Sequence, residues 1–83
     1  MSSYKPTEID IEWLKTVTGM IKNGGMLAYP STQLVYRVWH QKHELELVNP
    51  SILLSRDSHE THLRTINVLK VMGWKMKERE GNL

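Results

Sequence analysis

The sequence predicts an α+β fold. Two helices and a small antiparallel sheet follow the order α-β-β-β-α, closed by a further short strand. Three observations carry this. Apolar residues recur at steps of three and four near both ends of the chain, at Ile9–Ile21 and Leu63–Met72. Asn23-Gly24-Gly25 interrupts the first run, and a stretch rich in β-branched and aromatic residues follows it. Gln33–Trp39 and Glu44–Val48 then alternate with the two-residue period of strands.

Residues 1–6 read as a flexible lead. Thr7 stands three positions before Asp10, a capping-box spacing with Asp in place of Glu, so a helix should begin near Glu8. Ile9, Trp13, Leu14, Val17, Met20 and Ile21 form its apolar stripe. Gly24 is placed to be its left-handed C-cap, with Asn23 helping to end it. Met26–Tyr29 is the expected first strand, and Pro30-Ser31-Thr32 has turn chemistry. In Gln33–Trp39, Leu34, Tyr36 and Val38 point one way and Val35, Arg37 and Trp39 the other. His40–His43 is a polar loop. Glu44–Val48 is a third strand with Leu45 and Leu47 inward. Ser51–Ser55 is either extended or a short helical turn. Asp57 and Glu60 have the spacing of a second capping box, which predicts a helix from Ser58 to about Met72. Its spine is Leu63, Ile66, Leu69 and Met72, widened by Val68 or Val71, with Gly73 as C-cap. Trp74–Lys77 alternates and suits an edge strand whose lysines discourage further pairing. Residues 78–83 read as a flexible tail. A three-stranded antiparallel meander with both helices on one face covers the apolar residues as a single domain over 1–83.

At 83 residues the chain supports one small core; a domain of this size buries only about 60% of the surface its unfolded chain exposes. It has no cysteine, which excludes disulfides and cysteine-based metal or redox sites. No apolar run approaches the ~20 residues of a membrane span, and no secretion signal follows Met1. The expectation is a cytoplasmic protein without a membrane role. Eleven Lys/Arg against nine Asp/Glu give a net charge of +2 and a pI near 9.0. That balance is compatible with nucleic acid but is explained by solubility alone.

No residue cluster forms a recognisable catalytic constellation. The histidines fall as two pairs, His40/His43 and His59/His62, at a spacing zinc would accept, yet nothing in the sequence brings the pairs together, and zinc sites usually carry cysteine or carboxylate partners as well. No metal or other cofactor is expected. Asn23-Gly24-Gly25 leads out of a helix into a strand, the wrong end of the dipole for a phosphate loop. Ser31, Thr32, Ser51, Ser55 and Ser58 are accounted for by turns and caps. The outward set Val35, Arg37 and Trp39 is the informative one. Trp beside Arg is the composition of an interface hot spot, and it also suits base stacking. A homodimer through this open sheet face would use it.

The α-β-β-β-α order is similar to the double-stranded-RNA-binding fold and to the HicA-type toxins built on it, over Ser31 through Gly73. Where that RNA-binding fold opens its second helix with lysines, this chain has Arg56-Asp57-Ser58-His59-Glu60. A helix, Gly-Gly, a Pro-Ser turn, an apolar strand and a closing helix ending Gly73-Trp74 also resembles small phage or prophage proteins. That resemblance implies a protein that binds host or viral components. The leading expectation is a non-enzymatic binding module, an inhibitor or regulator acting through a protein partner and forming a homodimer. The alternative is nucleic-acid binding through Arg37, Arg64, Lys70, Lys75 and Lys77, and the third, well behind, is a small nuclease or metal protein.

Overall fold

Thr7 starts the first helix in the computed structural model, which describes residues 7–21, 23–29 and 31–77. The expected flexible ends, 1–6 and 78–83, lie outside the described residues. Helix α1 spans Glu8–Met20, and its capping box is complete: the Thr7 hydroxyl accepts from the Asp10 amide at 3.1 Å, and the Thr7 amide donates to the Asp10 carboxylate at 3.5 Å. Strands β1 (Gly25–Ala28), β2 (Val35–Trp39) and β3 (Glu44–Leu47) form the antiparallel meander. Helix α2 (Arg56–Met72) then returns the chain so that β4 (Lys75–Met76) lies parallel to β3. The result is a four-stranded sheet in the order β1-β2-β3-β4, with both helices on one side of it.

Alternation along the strands decides which side is covered. Leu27, Tyr36, Val38, Leu45 and Leu47 are buried and meet Leu14 of α1 and Val68 and Leu69 of α2, with Leu34 beneath the β1–β2 turn. Each such burial contributes roughly 1.5–3 kcal/mol. Asn49 locks the start of β2: its side chain accepts from the Val35 amide at 3.1 Å and donates to the Gln33 carbonyl at 3.0 Å.

Four expectations need correction. Helix α1 is not capped by Gly24: the chain leaves the helix at Ile21 in an extended conformation, and positive φ comes only after it, at Asn23 (66°) and Gly24 (124°). The Asp57/Glu60 capping box does not form. Helix α2 starts earlier, after Ser55, which leaves Asp57 in the first turn beside the positive end of the dipole and pairs Glu60 with Arg56 at 3.4 Å. The buried faces of both helices are rotated from the hydropathy stripes. In α1 the buried residues are Leu14 and Thr18, while Ile9 and Met20 are exposed. In α2 Val68 and Leu69 are buried as expected, but Ser58 and Thr65 join them, while Leu63 and Ile66 are only partly buried and Val71 is exposed. Buried hydroxyls make this possible because each has a partner: Thr18 donates to the Leu14 carbonyl at 2.7 Å, Thr65 to Thr61 at 2.9 Å and Ser58 to Thr32 at 3.1 Å. The open question at 51–55 resolves as a 3-10 turn, Pro50–Leu54. Gly73, at φ 83°, ends α2 as expected, with the Trp74 amide reaching back to the Leu69 carbonyl at 2.8 Å.

Two glycines have opposite roles. A Cβ on Gly25 would lie 2.6 Å from Ile21 Cγ2, so β1 can pass the end of α1 only without a side chain there. A Cβ on Gly19, inside α1, meets nothing within 4 Å. Gly25→Ala should therefore cost about 1–3 kcal/mol, and Gly19→Ala should add about 0.5–1 kcal/mol through helix propensity. Urea midpoints of the two variants, moving in opposite directions, check this.

Candidate functional site

The strand period that buries Tyr36 and Val38 sends Arg37 and Trp39 to the other side of the sheet, where none of the described helices lies. Pairing extends this outer face across all four strands. Met26, Arg37 and Glu46 form one row, and Trp39, Glu44 and Lys75 form a second. Ala28 and Val35 stand side by side at one end. Arg37 and Met26 are exposed; Val35 and Trp39 are partly buried.

Trp39 ends β2, at the opposite end of the face from Val35, and is held in place. Its indole N–H donates to Glu46 Oε1 at 3.2 Å. Three cations surround the ring: Lys42 Nζ lies 5.4 Å from its centroid, Lys77 Nζ 5.7 Å and the Arg37 guanidinium carbon 5.8 Å. Cation–π contacts at exposed sites contribute about 0.5–1 kcal/mol each. Lys75 Nζ lies 3.9 Å from Glu44 Oε2. The face is thus a large amphipathic ring, fixed by one hydrogen bond, inside a ring of charges of both signs.

The structure gathers Val35, Arg37, Trp39, Lys75 and Lys77 on this face. It leaves Arg64 and Lys70 on α2, on the opposite layer, where Arg64 lies 4.0 Å from Asp10. Lys42 and Met26 join the site without having been picked out from sequence. Their signal was present in the pairing: Met26 sits across from Arg37, and Lys42 follows Trp39 in the His40–Lys42 turn.

The two histidine pairs do not meet. His40 and His43 stand 6.2 Å apart, centroid to centroid, and both pack on Trp74, His43 stacked at 5.0 Å. Lys15, Thr18, Gly19 and Met72 complete a shallow cleft of about 220 Å³ beside them. His62 belongs to the core edge: its Nδ1 lies 2.8 Å from the Tyr36 hydroxyl, and its ring stacks on Tyr36 at 5.8 Å. Among the described residues, no group of three or more metal-ligating side chains converges. None of their helices is long and apolar enough to cross a membrane.

Burial raises the Tyr36 hydroxyl well above its usual value, so it stays protonated, and the hydrogen bond it shares with His62 Nδ1 takes its direction from the imidazole tautomer. Burial also lowers the His62 pKa below the usual 6.5, and the neighbouring His59 adds to this. Unfolded His62 takes up a proton near pH 6.5, whereas the folded form does so only at lower pH. The contribution of neutral His62 is therefore fully present above pH 6.5 and is lost as pH falls through the folded value. Chemical denaturation should give a lower midpoint at about pH 5 than at about pH 7.5. His62→Gln should flatten that slope.

Compared with known proteins, the sequence matches no family model, no curated protein and no solved structure.

Proposed function

We propose that this protein is a small non-enzymatic binding module, acting as an inhibitor or regulator, that engages a protein partner through the outer face of its sheet. The observation that carries this reading is the preorganised Trp39, fixed by Glu46 and surrounded by Arg37, Lys42 and Lys77. Trp and Arg dominate the residues whose truncation weakens interfaces most. A ring already held in one orientation loses little conformational entropy on binding. Met26, across from Arg37, and Val35, at the other end of β2, supply apolar surface on the same side of the sheet.

The same cations support a second reading, a nucleic acid tracked by Arg37, Lys42, Lys75 and Lys77 with a base stacked on Trp39. Glu44 and Glu46 count against it, because they lie in the middle of the face where a phosphate backbone would pass. Capture from a host lysate, with and without nuclease treatment, separates the two. The protein reading expects a captured protein that survives nuclease and modest salt. Capture that vanishes with nuclease, or falls steeply with salt as phosphate contacts do, favours nucleic acid and overturns the first reading.

A further inference from the structure

The outer sheet face carries an unbalanced charge pattern. Arg37, Lys42, Lys75 and Lys77 share it with two carboxylates, Glu44 and Glu46. Both carboxylates are already engaged within the sheet: Glu46 accepts from the Trp39 indole at 3.2 Å, and Glu44 lies 3.9 Å from Lys75. Arg37, Lys42 and Lys77 are exposed, and none of the three forms an ion pair among the described residues. The face therefore holds a surplus of two positive charges, as large as the net charge of the whole chain. The three free cations stand 5.4–5.8 Å from the centroid of one ring. They repel one another over distances comparable to the Debye length, about 8 Å at physiological salt. An anion set among them relieves that repulsion and gains three attractions at once.

We propose, resting on the sheet-face reading above, that the partner meets this face with an acidic protein segment, whose clustered Asp or Glu side chains enter among Arg37, Lys42 and Lys77 around Trp39. The planar Arg37 fork takes one carboxylate through two parallel hydrogen bonds, while Lys42 and Lys77 act as point charges. Two observations favour protein carboxylates over the phosphates of a nucleic acid. The cations gather around a single ring, whereas a single strand is tracked along a groove with successive stacking platforms. Glu46 stands across from Arg37 and Glu44 across from Trp39. A continuous polyanion would have to pass over both, but a short acidic cluster can stop beside them. Complementary charge of this kind also steers encounter and disfavours basic partners.

Chemical-shift titration of the isotopically labelled full chain tests this with three synthetic probes: a short peptide of Glu residues around one Leu, the same peptide with Gln for Glu, and oligothymidylate. The acidic peptide should shift the Trp39 indole and the Arg37 amide to saturation. The glutamine peptide should bind at least about tenfold more weakly, or about 1.4 kcal/mol. Arg37→Glu, Lys42→Glu and Lys77→Glu should each weaken the acidic peptide by about tenfold or more, with thermal melts showing that each variant stays folded. Lys70→Glu makes the same change of net charge on α2 and should leave the affinity unchanged. No saturable shift with the acidic peptide overturns the proposal, as do equal affinity for the glutamine peptide and equal loss on Lys70→Glu. Tighter binding of oligothymidylate overturns it as well and assigns the face to nucleic acid. The captured partner separates this from the sheet-face reading. If Trp39→Ala removes its binding but Lys42→Glu and Lys77→Glu do not weaken it, the acidic segment is overturned and the sheet face stands. If Trp39→Ala leaves its binding at full strength, both fall.

Discussion

Tyr36→Ala should remove about half of the protein's stability and leave it only marginally folded. Tyr36 is fully buried in the central antiparallel pairing, between Leu27 on β1 and Leu47 on β3. Its ring meets Tyr29 edge-on at 6.0 Å and His62 face-on at 5.8 Å. Removing a buried aromatic costs about 3–5 kcal/mol, and a domain of this size has about 5–10 kcal/mol in all. The variant also leaves the His62 imidazole without its hydroxyl partner. Tyr36→Phe separates the two effects. It keeps the packing and removes only the hydrogen bond, so it should cost about 0.5–1.5 kcal/mol. Urea denaturation followed by tryptophan fluorescence reads both. A Tyr36→Ala protein losing less than about 2 kcal/mol would mean that the core closes around the gap, against the close-packed arrangement described above.

Trp39→Ala should remove binding while leaving the fold nearly intact. The side chain is only partly buried and lies outside the core cluster. Its loss costs the Glu46 hydrogen bond and the three cation contacts, which together sit on the solvent side of the sheet. The three cations repel one another around a single ring and stay solvated, so their contributions do not add, and we expect about 1 kcal/mol of stability in all from these exposed contacts. At a hot spot the same truncation costs binding about 2 kcal/mol or more, a loss of roughly thirtyfold or greater. Arg37→Ala should act in the same direction. Isothermal titration with the captured partner, run beside a thermal melt, measures the two quantities. Equal losses of binding and stability would instead make Trp39 a packing residue.

The strands were more legible in the sequence than the helices, for a physical reason. A two-residue period leaves no choice of face once one side is apolar, so Leu34, Tyr36, Val38, Leu45 and Leu47 were readable as inward residues. A helix offers a continuous choice of rotation. Hydropathy placed Ile9, Trp13 and Met20 in the core stripe of α1, but the helix turns so that Thr18 is buried instead, its hydroxyl satisfied by Leu14. Thr65 displaces the hydropathic spine of α2 in the same way, joined to Tyr29 at 2.8 Å by a bond that no local pattern announces. The Asp57/Glu60 spacing misled because Pro50–Leu54 already winds the chain and lets α2 begin before it. Arg37 and Trp39 could be assigned to one face from period alone. Glu46, Lys75 and Lys77 could not be placed around them, because their positions depend on long-range register.

The central claim is that the outer sheet face is the binding surface. Amide and indole chemical-shift mapping of the isotopically labelled protein, titrated with the captured partner, tests it most directly. The account predicts that the Trp39 indole resonance and the amides of Met26, Arg37 and Glu46 shift together, while the exposed side of α2 around Lys70 stays still. Shifts concentrated on α2, with the Trp39 indole unmoved at saturation, would contradict it.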